Sequence, residues 1–229
     1  MAGRGDGSGD MADWRKNAVH PLEITGYTAE GMGVARLEGR VVFVPFTIAG
    51  ERWRVRLEKV NRNVAWGRGV ELLSPSPSRV EPGCPVFGKC GGCQYRHMTY
   101  EEELLAKGRR IADALERVGG VKLDLPPVIG AEEPDRYRNK VQFPIARSGE
   151  SGVRAGYYRA RSHQVLEVSH CLLQPEAVTR LQHAFEYWAA RLRLKPQDDP
   201  AGGTLPPPYI RPNTRGDLLA CVVAWGDLP

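Results

Sequence analysis

Cys84-Pro85-Val86-Phe87-Gly88-Lys89-Cys90-Gly91-Gly92-Cys93 sets three thiols in one short run, and Ser169-His170-Cys171 supplies a fourth far downstream. Thiolates are soft ligands, so this grouping suits a buried metal or cluster better than catalysis. A distant fourth ligand closes a loop of nearly eighty residues. Binding then ties two halves of a domain together and becomes part of folding. Tetrahedral thiolate sites hold either zinc or iron-sulfur. Zinc sites more often pair two short cysteine knuckles, whereas Cys90 and Cys93 form the one short pair here. The spacing favours iron-sulfur over zinc, with unligated core cysteines or disulfides as the remaining alternatives. Gly91-Gly92 adds to this, because it lets backbone N–H groups approach an anionic cluster.

The 229 residues, 41% hydrophobic and 26% charged, can bury a core in two modest domains. A net charge of +5 is compatible with nucleic-acid binding. No stretch is long and apolar enough to span a membrane. The glycine-rich start, Met1 to Asp10, lacks the apolar core of a signal peptide. A cytoplasmic setting is therefore expected, where reduced thiols favour metal over disulfide.

Residues 1–17 read as a disordered tail. From 18 to 75 come five short runs of β-formers: Glu23 to Thr28, Gly33 to Leu37, Arg40 to Pro45, Glu51 to Val60 and Asn63 to Leu73. Their spacing suggests a small five-stranded barrel of OB or SH3-like kind. Along Arg52-Trp53-Arg54-Val55-Arg56-Leu57 the period-two alternation puts Trp53, Val55 and Leu57 inside and the arginines outside. Over Glu51 to Arg68, six cations (Arg52, Arg54, Arg56, Lys59, Arg62 and Arg68) stand against Glu51 and Glu58, for a net +4. Such a face suits phosphate contacts, which supply affinity and salt dependence rather than sequence choice; a solvated strand face is the alternative.

The alternating prolines of Ser74-Pro75-Ser76-Pro77-Ser78 end the barrel. After the cysteine run, Thr99 with Glu102 three residues on has the capping-box form. Leu104, Gly108, Ile111, Leu115 and Val118 then follow on one helical face, with Gly119-Gly120 as the stop. Asp135 to Pro144, Gly156-Tyr157-Tyr158 and Ser162 to Val168 read as strands of an antiparallel meander that ends just before Cys171. A second helix from Pro175 carries Val178, Leu181, Phe185, Trp188 and Leu192 as a core stripe. A hairpin of Tyr209 to Arg215 and Leu218 to Trp225 turns at Gly216-Asp217. Cys221 lies in an apolar strand with no adjacent base, and reads as a small core residue.

The order C-x5-C-G-G-C, then Gln94-Tyr95-Arg96-His97, Tyr100, Leu104 and Lys107, and a much later cysteine, resembles the S-adenosylmethionine-dependent RNA uracil-5-methyltransferases. The resemblance runs from about His20 to Trp225. It implies a TRAM-like RNA-binding barrel at 18–75, and a central α+β domain at 79–229 with an antiparallel sheet and a 4Fe-4S cluster on Cys84, Cys90, Cys93 and Cys171. It also implies a C-terminal Rossmann-like domain that holds S-adenosylmethionine and the cysteine nucleophile; the chain stops before that domain, so the central domain is expected to be incomplete. The chain is expected to capture RNA, ribosomal rather than transfer RNA, as a monomer, and to supply no catalytic group by itself. Arg138 and Lys140, in a Tyr-Arg-x-Lys run that resembles the family segment, are inferred to face the RNA or the catalytic domain, with a structural ion-pair role as the alternative. A free-standing RNA-binding iron-sulfur or zinc protein is the other reading. A radical enzyme would need a C-x3-C-x2-C motif with an open iron, which the five-residue spacing and the fourth cysteine both oppose.

Overall fold

The computed structural model describes residues 13–149, 152–197 and 203–225. The expected tail lies outside these residues as far as position 12. The chain forms two compact units. One runs to Pro82 and resumes over Gln94–Ile129; the other takes Gly83–Cys93 and the chain from Gly130 onward.

In the first unit, β1 (Val19–Tyr27), β2 (Gly33–Leu37), β3 (Arg40–Val44), β4 (Arg52–Val60) and β5 (Val64–Ser74) close into a barrel in the order β1-β2-β3-β5-β4. Closure leaves no unpaired sheet edge. Leu22, Ile24, Ala35, Val42, Val44, Val55, Leu57 and Ala65 fill the interior. Strand β4 alternates as the sequence predicts, with Val55 and Leu57 buried, Trp53 half-buried, and Arg52, Arg54 and Arg56 exposed. Gly33 is required for packing rather than for a turn: a Cβ there would stand 2.0 Å from Thr47 Oγ1 and 2.8 Å from Ile24 Cγ2. Trp14, placed by sequence in the tail, packs against the barrel core and donates its indole N–H to the Asn61 carbonyl at 2.8 Å.

Helix α1 (Tyr100–Arg117) belongs to this unit, not with the cysteines. Thr99 caps it by accepting from the Glu102 amide at 3.4 Å. The reciprocal half of the capping box is missing, because Glu102 Oε1 accepts instead from the Tyr27 hydroxyl at 2.7 Å. The anticipated apolar stripe is not a buried face: Ile111 and Val118 are exposed, and Ala106 is the buried residue. The helix makes its contact through its first turns and through Gly108, whose Cβ would meet Val128 at 3.2 Å.

The second unit holds β6 (Val141–Gln142), β7 (Ile145–Ser148), β8 (Gly152–Tyr158), β9 (Val165–Glu167), α2 (Glu176–Arg191), β10 (Tyr209–Pro212) and β11 (Leu218–Cys221). They form two antiparallel three-stranded sheets, β7-β8-β9 and β11-β10-β6, rather than one meander. Residues 135–140 are not strand. Arg136 takes a positive φ of 58°, and the Arg136 and Arg138 amides donate singly to the Leu172 and Leu173 carbonyls at 2.7 and 2.9 Å. Helix α2 buries Val178, Phe185 and Ala189 into a core shared with Phe143, Val153, Ala155, Leu205 and Ile210, and Trp188 packs against it. The aromatic stripe is thus core, as read from its spacing. Cys221 is not core: it is exposed on β11, an edge strand with one neighbour.

Candidate functional site

All four expected ligands fall in the second unit. Tight turns shape the cysteine run, with the Phe87 amide on the Cys84 carbonyl at 3.1 Å and the Cys90 amide on the Val86 carbonyl at 2.9 Å. Its far end is zipped to the tip of the β8–β9 hairpin. Cys90 and Arg159 form an antiparallel bridge, flanked by Gly91 N–H to Tyr158 O at 3.2 Å and Ala160 N–H to Lys89 O at 2.9 Å. Cys171 follows β9 and is turned by the Gln174 amide on its carbonyl at 3.3 Å. All five cysteines are reduced, and Cys84, Cys90, Cys93 and Cys171 are half-buried.

These thiols sense one another. Burial pushes the Cys90 thiol up, and Cys171 and Cys84 push the same way, against the Gly92 amide and the Arg138 guanidinium. Burial likewise raises the Tyr157 phenol, with Cys171 adding to the effect and Arg138 opposing it. Arg138 therefore stands by the cysteines, where a cation balances thiolate charge. The donor set fits a soft, anionic group: four half-buried thiols, one receiving the Gly92 N–H at 3.4 Å, with an arginine nearby. Among the described residues, no three Cys, His, Asp or Glu side chains are arranged to hold one metal ion. That convergence on a single point is what zinc demands, whereas a 4Fe-4S cluster gives each thiolate its own iron.

On the barrel, the basic residues divide. Arg54 is held by Glu71 at 2.9 Å, both exposed. Arg56 and Arg68 are exposed and face each other across β4 and β5. Like charges directly opposite destabilise a sheet, so this pair leaves a local demand for anions. Lys59 lies over the Trp66 ring at 5.0 Å, while Arg52 and Arg62 are exposed. Lys140, in the second unit, is exposed and lies 4.8 Å over Tyr209, a ring also approached by Arg211 at 5.9 Å. The alternation of Tyr209 and Arg211 on β10 was the available signal for that cluster; Lys140 alone was read from sequence.

One cluster was misread. Glu51, counted with the surface stripe, is fully buried. It accepts from the Ile48 amide at 2.9 Å, Trp53 Nε1 at 2.8 Å, the Ser76 amide at 3.3 Å, and Arg79 Nε and Nη2 at 2.5 and 2.7 Å. Burial alone would raise its pKa, but these donors, Arg79 foremost, hold it below the ordinary value. Beside it His97 is 1% exposed, with a ring nitrogen 3.3 Å from the Thr47 carbonyl. Burial lowers the His97 pKa to about 4, helped by Arg79 and opposed by the Thr47 hydrogen bond and Glu51. In the unfolded chain this imidazole takes a proton near its ordinary value, and in the folded barrel it resists. Stability is therefore expected to fall as pH drops from about 6.5 toward 4, by up to about 3 kcal/mol. Urea denaturation across that range, compared with His97→Asn, checks it: an equal slope in both proteins removes His97 as the cause.

Residues 14–70 match the TRAM domain. An uncharacterized RNA methyltransferase of Clostridium tetani is 37% identical over 185 residues, covering 81% of this chain and 40% of its own length. One of Halalkalibacterium halodurans is 35% identical over 224 residues, covering 96% and 48%. This chain belongs to the TRAM-bearing RNA methyltransferase family. It spans less than half the length of these relatives. Among solved structures, the tRNA (uracil-54, C5)-methyltransferase of Pyrococcus abyssi, in complex with S-adenosyl-L-homocysteine, matches with a TM-score of 0.58 at 23% identity. The match covers 91% of this chain and 47% of that one, and establishes a shared fold. No helix among the described residues of this family member is long and apolar enough to cross a membrane.

Proposed function

We propose that this chain is the RNA-capturing and cluster-holding portion of an RNA uracil-5-methyltransferase, with ribosomal RNA as its substrate. The observation that carries this reading is the joining of the cysteine run to Arg159 and of residues 136–138 to the segment after Cys171, inside one unit. Cys84, Cys90, Cys93 and Cys171 would hold a 4Fe-4S cluster, with Arg138 as the neighbouring cation. Such a cluster cross-links the unit when bound, because all four thiols are committed to it. S-adenosylmethionine supplies the methyl group in the family reaction. The residues described here bind and orient RNA, and none of them is assigned a catalytic role. We place the protein in the cytoplasm, as a monomer.

In this reading Arg52, Arg56, Arg62 and Arg68 meet phosphates, Arg54 does so less because Glu71 already occupies it, and Lys140 marks a second contact beside Tyr209. The free-standing metalloprotein reading shares the RNA contacts and differs only in the fate of the captured RNA. Binding to labelled ribosomal RNA, competed with transfer RNA, is expected to weaken steeply with salt. Arg56→Ala with Arg68→Ala should flatten the log–log salt slope by about 1. Salt-independent binding would sink the barrel as the phosphate-contacting surface, and preferential competition by transfer RNA would move the substrate to that class.

A further inference from the structure

The barrel carries two aromatic rings on its outside. Along β3, Val42 and Val44 are fully buried, so Phe43 between them points outward; along β5, Ala65 and Gly67 are buried, so Trp66 does the same. Neither ring belongs to the barrel core, which is filled without them. Register lines up four side chains in one row across four strands: Val34 pairs with Phe43, Phe43 with Trp66, and Trp66 with Lys59. The rings are 5.9 Å apart between centroids and tilted by 55°, both half-buried, and Lys59 Nζ stands 5.0 Å over Trp66. Two residues along β5, Arg68 faces Arg56, and among the described residues neither is held by a carboxylate.

Exposed aromatic surface beside unpaired cations asks for an occupant that is flat and apolar in one part and anionic in another. A nucleotide meets both demands: every base has a π-face, and its phosphate answers the arginines. In a duplex the base faces are covered by stacking, so the demand selects an unpaired stretch. We propose that Phe43 and Trp66 form a stacking platform for a base of single-stranded RNA, with Arg56 and Arg68 on the adjoining phosphates and Lys59 closing over the stacked base. This rests on the RNA-capture reading above and adds to it the kind of RNA taken: the platform selects loops or unpaired segments, whereas the arginines alone accept any phosphate backbone.

The test is fluorescence anisotropy of the full chain with a labelled oligouridylate of about 12 nucleotides and with a blunt RNA duplex of equal length, each across a salt series. Trp66→Leu, which keeps apolar bulk and loses the ring, is expected to weaken oligouridylate binding about 10-fold with an unchanged salt slope, since stacking is worth about 1–3 kcal/mol per base. Trp66→Tyr should restore most of the affinity, which separates loss of the ring from damage to the barrel. Duplex binding should change little in either variant. If Trp66→Leu and Phe43→Leu bind oligouridylate as the parent does while Arg56→Ala flattens the slope, the platform is overturned and RNA capture stands. Equal losses on duplex and single strand overturn it as well. A parent chain that binds neither probe overturns both readings.

Discussion

Glu51→Ala is expected to destabilise the barrel unit by about 3–5 kcal/mol, the usual cost of removing one partner from a buried ion pair. The carboxylate has no solvent contact and gathers four donors: two amides, an indole and a guanidinium. Removing it strands the Ile48 amide and Trp53 Nε1 in the interior, and leaves Arg79, whose side chain is only 22% exposed, without its counter-charge. The same network pins Ser76 and Arg79 to the barrel, so the proline-rich segment that follows β5 should loosen with it. Glu51→Gln should cost less, because an amide still accepts from two of the donors. Glu51→Leu combined with Arg79→Met should recover much of the loss, since an apolar pair of similar volume carries no unpaired charge. Thermal and urea unfolding measure all three. A loss below about 1 kcal/mol for Glu51→Ala would show that water replaces the carboxylate, and the cluster would then be a surface feature.

The sequence patterns that were legible are those in which local chemistry and burial point the same way. Strand β4 could be read residue by residue, because arginines and apolar residues alternate at the period of the pleat and one face is the core. The Thr99 cap and the core stripe of α2 were readable for the same reason. The failures share a different cause. Glu51 looked like one more surface charge, since nothing local tells that Arg79 returns from 28 positions away to neutralise it. Residues 135–140 looked like a strand by composition, but their amides find partners past Cys171, so single long-range hydrogen bonds replaced a ladder. Cys221 sat in an apolar run, yet its strand is at a sheet edge, and edge position is invisible in the run itself. At the candidate site the four thiol positions came from spacing. Arg138 as their neighbour required the fold.

Cys171→Ser should have the largest effect in the second unit. The three cysteines of the 84–93 run close only a small loop, which orders that loop and little else. Cys171 alone ties it to the chain after β9, across nearly eighty residues. By chain-entropy reasoning, a cross-link over such a loop is worth about 4 kcal/mol, and ligand bonds add to it. Parent protein reconstituted without oxygen, with iron and sulfide, is therefore expected to hold both elements and to melt well above Cys171→Ser, which should lose the colour and most of the iron. Cys221→Ser, at an exposed position on β11, should change neither reading. Iron and sulfide analysis with thermal melting separates the outcomes. A Cys171→Ser protein with full iron and an unchanged melting temperature would show that the downstream thiol is no ligand. A parent that takes up one zinc and no sulfide would leave the four-thiol set standing and replace the cluster with a single ion, which must then draw Cys84, Cys90, Cys93 and Cys171 closer together than they stand without it.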